Sequence, residues 1–472
     1  MPAIASLSRA AREKARVLLA RALGSSKVLL EPEACERFAT DDSGVEGRTP
    51  DAVVLAETMD DVVLALATAR QCGVPITPRA AGTGRTGGAT AIAGGIVLSM
   101  VGMSKIREID RRERIAVVEP GVVLADLHAA VEAEGLFYPP DPNSLASCTL
   151  GGNLAENAGG PRAFKYGVTR DYVLGMEACL IGGQRIFAGR RTVKGVTGYD
   201  VASLLVGSEG TLAVLGPATL RLVPNPPQVT TLLALFSSAG QAMQAVGDIL
   251  AAGVTPRCIE FLDESTLGAL RAAGNAVSEA ARALLILEVD GDPVACETQV
   301  ERIAGALEDV HALDLVVARE GAQRDKLWSA RREMSHAARR MAKHKLAEDV
   351  VVPRRRLAEL LDRVALESER ARVRTLSYGH AGDGNLHVNY LWNDDDEQAA
   401  VERSIEQLFR DVVELGGTLS GEHGIGVTKA PYLPIEQSSS LIALERELKR
   451  TFDPDGLLNP GKIFPAAGHR LC

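Results

Sequence analysis

Two short stretches near the C-terminus set ionisable side chains among glycines: Ser377-Tyr-Gly-His380-Ala-Gly-Asp383-Gly-Asn385-Leu-His387 and Ser420-Gly-Glu422-His423-Gly-Ile-Gly426. His380 and His387 offer imidazole nitrogens and Glu422 a carboxylate, a mixed donor set that could hold a divalent ion and leave positions open for substrate. Zinc, iron and manganese all suit such a set. His423 lies beside Glu422, and an imidazole is a side chain that can serve as a general base. Such a clamp and base suit an enzyme that orients and deprotonates a small oxygen-bearing substrate. The competing reading is a pair of histidines hydrogen-bonded to backbone in a polar core, and for His423 a third ligand or an orienting group.

These residues need elements that bring them together. His380 and His387 are seven positions apart with glycines between them, so a turn or bulge must set them on one side. His387 lies near the start of an alternating strand, Leu386 to Leu391. Upstream, three glycine loops recur. The first, Pro78-Arg79-Ala-Ala-Gly82-Thr83-Gly84-Arg85-Thr86-Gly87-Gly88, follows a strand and lets backbone N–H groups converge on a phosphate. It has neither the Gly-Lys-Ser/Thr of a Walker loop nor the spacing of a Rossmann fingerprint. The second runs through Thr149-Leu-Gly151-Gly152-Asn153 to Gly159-Gly160, and the third is Val206-Gly207-Ser-Glu209-Gly210-Thr211. One such loop reads equally well as tight turns. Three in one region suggest an extended dinucleotide.

The chain of 472 residues is long enough for two or three domains. Strand and helix alternate over residues 52–135. Ala52 to Ala56 reads as a strand, and Thr58 caps a helix with Asp61 in its first turn. Val62, Leu66 and Ala69 form that helix's apolar face, and Gly73 ends it. The Pro224–Pro227 run is the best boundary. Beyond it, strand-like and helical segments alternate with few glycines, as in an antiparallel sheet covered by helices. The expected organisation is α+β: an N-terminal helical segment (1–45), a cofactor domain (46–226), a cap and substrate domain (227–420) and a C-terminal segment (421–472) returning to the cofactor domain.

Several classes are excluded or disfavoured. A net charge of −9 without a basic tract argues against nucleic acid. No apolar run approaches the roughly 20 residues that span a bilayer, and the start lacks a secretory signal. Ala10–Leu23 reads as a basic amphipathic helix packing on the body. The seven cysteines are scattered without C-x-x-C, so neither an iron–sulfur cluster nor a zinc ribbon is indicated. That usage fits a cytoplasmic setting, with peripheral attachment at the inner membrane face left open.

The ordered motifs resemble the FAD-linked oxidases of the vanillyl-alcohol-oxidase type. They run Pro-Arg-x-x-Gly-Thr-Gly, Asp-Pro-x-Ser, Cys-Thr-x-Gly-Gly-Asn, Lys-Tyr-Gly-Val-Thr-Arg-Asp, Gly-Ser-Glu-Gly-Thr, Gly-His-x-Gly-Asp-Gly-Asn-x-His, Gly-Glu-His-Gly and Asn-Pro-Gly-Lys. Within that family they are similar to the D-2-hydroxyacid dehydrogenase branch, which takes in the glycolate oxidase D subunit and the D-lactate and D-2-hydroxyglutarate dehydrogenases. The likeness covers about residues 40–465.

The resemblance implies a two-lobed FAD-binding domain and a cap whose antiparallel sheet faces the flavin. It assigns Arg79, Gly82, Thr83, Gly84, Arg85, Thr86, Gly87 and Gly88 to the FAD pyrophosphate. Asp141, Pro142, Ser144, Thr149, Gly152, Asn153 and Gly159 would line the dinucleotide. Glu209, Gly210 and Val214 would lie on the adenine side, and Asn459 near the isoalloxazine. Several relatives attach FAD through a histidine where this chain has Thr83, so non-covalent FAD is expected. Ala80-Ala81 replace the usual glycine pair after Arg79. The likeness also assigns the divalent ion to His380, His387 and Glu422. His423 becomes the base that takes the hydroxyl proton as hydride leaves for flavin N5, and Arg331 pairs with the substrate carboxylate. Relatives that take a dicarboxylate carry a lysine where this chain has Ala347, which favours glycolate or D-lactate over 2-hydroxyglutarate. Electrons would pass to a quinone, an electron-transfer flavoprotein or a partner subunit, and a homodimer is left open. The alternatives are D-2-hydroxyglutarate dehydrogenase and a non-catalytic FAD-binding subunit of an oxidase complex. The second predicts loss of the metal and base residues, which are all present.

Overall fold

The start of helix Met59–Cys72 shows local sequence fixing local structure. The computed structural model describes residues 8–464, apart from the side chains at 329, 330, 332, 333, 335 and 336. In it Thr58 Oγ1 accepts the Asp61 N–H at 3.2 Å, and the Asp61 carboxylate accepts the N–H groups of Glu57 and Thr58 at 3.0 Å. This reciprocal cap satisfies donors that a helix start leaves open. Gly73 closes the helix in the left-handed region at φ 65°, where a side chain would be strained.

The chain divides into two compact units, one made of residues up to Gly159, Val168–Asn225 and Glu422 onward, the other of Gly160–Gly167 and Pro226–Gly421. In the first unit, β1 (Val28–Leu29), β2 (Ala52–Leu55), β3 (Ile76–Arg79) and β4 (Ile96–Ser99) form one sheet in the order β1-β2-β4-β3. β4 runs parallel to β2 and β3, and β1 is antiparallel at the edge. Next come β5 (Ile106–Asp110), β6 (Ile115–Val118), β7 (Leu136–Phe137), β8 (Val173–Cys179), β9 (Arg185–Gly189), β10 (Val214–Arg221) and β11 (Val223–Pro224). Five of them make an antiparallel sheet, β5-β6-β10-β8-β9, while β7 and β11 form a short ladder.

Helices Arg9–Leu23 and Met59–Cys72 supply Ala15, Leu19, Val62, Leu66 and Ala69 to a core shared with Val54, Ile76, Ile96 and Leu98. The N-terminal helix therefore buries its apolar side in the first unit. Among the described residues no helix is long and apolar enough to cross a membrane.

The second unit holds one antiparallel sheet. Its strands are β12 (Gln228–Phe236), β13 (Cys258–Leu262), β14 (Ala283–Gly291), β15 (Asp314–Ala318), β16 (His344–Val351), β17 (Arg374–His380) and β18 (Asn385–Trp392), in the order β15-β12-β14-β13-β17-β18-β16. Helices Glu264–Ala272 and Gly321–Arg339 pack Leu267, Leu270, Met334 and Ala338 onto Leu262, Leu284, Ile286, Leu376 and Tyr378 of one face. Residues of the opposite face, Ile259, Phe261, Leu285 and Leu287, are buried too. The sheet is thus covered on both faces. β18 is buried from Asn385 to Leu391, which hides the half-exposed alternation expected of it. The architecture is α+β, as the sequence suggested.

Candidate active site

Strand register assembles the second unit's polar cluster. β17 and β18 form a hairpin through Ala381–Gly384, with Tyr378 opposite His387 and His380 opposite Asn385. Because side chains alternate along a strand, all four share one face. β13 sets Glu260 opposite His380, and β16 sets Asp349 opposite His387. Tight hairpin pairing, rather than a bulge, therefore brings the two histidines together. Their rings lie 5.4 Å apart and nearly perpendicular.

Each histidine faces a carboxylate at Nδ1. Glu260 is hydrogen-bonded to His380 Nδ1. Arg331, on helix Gly321–Arg339, donates its Nε–H to the other Glu260 oxygen at 2.7 Å, and its guanidinium lies 4.9 Å from the Tyr378 ring centroid. Burial alone would raise the Glu260 pKa, but His380 and then Arg331 outweigh it and hold the group down to about 2. Asp349 lies 3.9 Å from His387 Nδ1. It accepts hydrogen bonds from Asn385 Nδ2, from Ser420 Oγ at 3.2 Å and from Gly421 N–H at 2.9 Å. Asp349 thus ties down the segment Ser420–Gly421, which the next peptide bond joins to Glu422. His380 and His387 lie on one face of the second unit's sheet, and Glu422 follows Gly421 in the chain. Two imidazoles, each with a carboxylate at Nδ1, and one further carboxylate suit a divalent ion.

The first unit brings the three glycine loops together. The loop after β3 bends over the Arg79 side chain. A Cβ on Gly82, at φ 78°, would meet the Arg79 guanidinium at 2.1 Å. Arg79 Nη1 also donates to the Thr40 carbonyl at 2.7 Å, so this arginine props the loop from within. Thr149 immediately precedes helix Leu150–Glu156, which carries Gly152 and Asn153. A Cβ on Gly152 would meet only Ala80, at 3.5 Å. Asn459 Nδ2 donates to the carbonyls of Gly88 at 2.9 Å and Glu209 at 2.8 Å, joining the first loop to the third. Lys462 Nζ holds the Gly87 carbonyl at 2.7 Å and that of Thr90 at 2.6 Å. Thr149 Oγ1, Ser208 Oγ and Asn459 Oδ1 are buried without a hydrogen-bond partner among the described residues. A buried unsatisfied group costs about 1–3 kcal/mol, so these groups fit a polar ligand held across the loops.

Other residues singled out in the sequence lie differently. The Glu209 carboxylate accepts the N–H groups of Ile425 at 2.8 Å and Gly426 at 2.7 Å, so it anchors the loop carrying His423. Thr86 Oγ1 donates to the His423 carbonyl at 3.1 Å, a second tie on that loop. Val214 is buried in the hydrophobic core, and Arg85 is exposed. Asp141, Pro142 and Ser144 belong to a turn in which the Pro142 carbonyl accepts Leu145 N–H at 2.9 Å and the Ser144 carbonyl accepts Cys148 N–H at 2.8 Å. Gly159 is buried after Ala158, at the end of the first unit's first segment. Glu260 and Asp349 were missed. The available signal was a lone carboxylate inside an otherwise apolar strand, as in Cys258-Ile-Glu260-Phe-Leu262.

Known proteins match this chain on both sides of the unit division. Residues 50–188 match the family described as "FAD binding domain", and residues 225–463 match "FAD linked oxidases, C-terminal domain". The "Glycolate oxidase subunit GlcD" of Bacillus subtilis (strain 168) is 40% identical over 418 residues, covering 88% of this chain and 89% of that protein. A "D-lactate dehydrogenase" of Anaerostipes hadrus is 32% identical over 454 residues, covering 93% and 95%. Among solved structures, 4-ethylphenol oxidase from Gulosibacter chungangensis superposes with a TM-score of 0.80 at 19% identity, covering 98% of this chain and 99% of that one. At that identity the likeness speaks to the fold.

Proposed function

The chain belongs to the family of FAD-linked oxidases, and from that premise we propose that it oxidises a small D-2-hydroxy acid, glycolate or D-lactate, to the 2-oxo acid. Relatives named glycolate oxidase subunit and D-lactate dehydrogenase support that substrate class. The observation that carries the proposal is the pairing of His380 and His387 on one sheet face, with Arg331 held at the same cluster through Glu260.

Each group has a role in this reading. Arg331 pairs with the substrate carboxylate, a match of planar guanidinium to planar anion. His380, His387 and Glu422 would hold a divalent ion, which makes the substrate hydroxyl more acidic when bound. His423 takes the hydroxyl proton. Bound FAD, held without a covalent link since Thr83 stands at the attachment position, supplies the two-electron acceptor for the hydride leaving Cα. Removal of one proton and one hydride converts the hydroxy acid to the oxo acid. Asn459, Glu209 and Lys462 keep the glycine loops and the His423 loop in place.

The substrate's far end is small. Ala347 is two residues from Asp349 along β16 and so shares the His387 face, in register with Asn389. Alanine there offers no cation to a second carboxylate, which supports a monocarboxylate over 2-hydroxyglutarate. The word "subunit" in the relative's name supports a protein partner as one route for the electrons.

Stopped-flow reduction of the flavin separates the roles. His423→Ala keeps FAD and metal but slows reduction by at least ~100-fold, the scale of a lost general base. Arg331→Ala weakens apparent substrate binding as well as rate. Reduction of the His423→Ala flavin at nearly the original rate under saturating substrate contradicts the base assignment.

A further inference from the structure

The segment Gly160–Gly167 belongs to the second unit, although the chain on either side of it belongs to the first. It carries the short helix Ala163–Tyr166. We propose that this segment positions the His380–His387 hairpin, with Phe164 as the positioning residue and Asp290 as its anchor. The inference rests on the metal reading of that hairpin.

The anchor is a buried carboxylate with several donors. Lys165 Nζ donates to an Asp290 carboxylate oxygen and, at 3.1 Å, to the Asp290 carbonyl. Tyr166 Oη donates to Asp290 Oδ2 at 2.7 Å, and Arg257 Nη1 to the same oxygen at 3.0 Å. Asp290 is the next-to-last residue of β14, an inner strand, so the segment is tied to the sheet that bears the histidines. A charged group buried this completely is retained only when its partners are in place.

From that anchor Phe164 reaches the hairpin turn. A Cβ added to Gly382 would lie 2.8 Å from Phe164 Cγ and 3.0 Å from Cδ1, so the ring sits directly on this glycine. Arg354 closes the other side. Its guanidinium lies 5.5 Å from the Phe164 ring centroid, and its Nη1 donates to the Gly382 carbonyl at 3.3 Å. Gly382 N–H is held by the Ile259 carbonyl at 3.3 Å, next to Glu260. Gly382 is two residues from His380, and its turn leads straight into β18. The ring therefore limits how far the turn, and with it the spacing of the two imidazoles, can relax.

Titration of Mn²⁺ into FAD-loaded, chelator-treated protein, with free Mn²⁺ read by its electron paramagnetic resonance signal, tests the inference. Phe164→Ala should weaken Mn²⁺ binding by about 10-fold or more, the scale seen when supports of ligands are removed, with FAD content unchanged. Phe164→Leu, which keeps apolar bulk, should restore most of the affinity. Gly382→Ala should weaken binding in the unmutated background and do less further harm beside Phe164→Ala. If Phe164→Ala does not fold, Phe164→Val, which also withdraws the ring from Gly382, replaces it in the cycle. Unchanged affinity in Phe164→Ala, or an equal effect of Gly382→Ala in both backgrounds, overturns the positioning role. Failure of the unmutated protein to bind Mn²⁺, or of His387→Ala to reduce binding, instead removes the metal reading beneath it.

Discussion

Glu260 and His380 face each other across the β13–β17 ladder, and the same carboxylate receives Arg331 at 2.7 Å. One buried side chain thus touches both a candidate metal ligand and the candidate substrate anchor. Glu260→Gln removes the negative charge and leaves Arg331 buried without its ionic partner. Breaking a buried pair from one side typically costs about 3–5 kcal/mol. We expect lower stability in urea, weaker ion binding and a raised KM together. Metal content and KM both equal to those of the unmutated protein would mean that Glu260 supports neither group.

Asn459 joins two of the glycine loops through one amide. Asn459→Ala removes hydrogen bonds to the Gly88 and Glu209 carbonyls, each worth about 1 kcal/mol net. The variant should release FAD more readily on dilution and unfold at lower temperature. Flavin retention equal to that of the unmutated protein would show that this link does not shape the cofactor site.

Asp263 gives a pH signature of stability. Burial raises its pKa from 3.8 to about 6, against the opposing hydrogen bonds from Thr266 and Ser377. Because the folded-state value is raised, the stabilisation is complete below the unfolded value near 3.8 and fades as pH rises through about 6. A shift of this size corresponds to roughly 3 kcal/mol. Asp263→Asn, compared with the unmutated protein from pH 4 to pH 7, should remove that part of the slope. Parallel stability curves would refute the assignment.

Thr58→Ala tests the capping box of helix Met59–Cys72. Loss of the hydroxyl should destabilise the protein by about 1 kcal/mol. Chemical denaturation measures it, and an unchanged midpoint would contradict the cap.

What could be read in the sequence divides along the range of the forces involved. Thr58, Asp61 and Gly73 act within one helix, so their roles were legible from neighbours alone. The glycine loops stood out because three of them recur in one region, and the spacing of His380 and His387 called for a turn. Glu260 was not legible, because its partner lies 120 residues away and only strand register brings them together. Phe164 was hidden for the same reason, since its contact with Gly382 depends on a segment that packs with the second unit. Val214 reads as part of a cofactor motif, yet its side chain is buried in the core formed with Cys179 and Ile181. A motif gives backbone position more reliably than the direction of each side chain.

Reduction of the bound flavin by substrate tests the central claim most directly. Purified yellow protein, loaded with FAD and held without oxygen, is mixed with glycolate or D-lactate while the flavin absorbance near 450 nm is followed. The account predicts bleaching by at least one of the two acids, faster than by the L-enantiomer of lactate or by 2-hydroxyglutarate. A flavin that stays oxidised with both acids, in protein that retains FAD and a divalent ion, would contradict it.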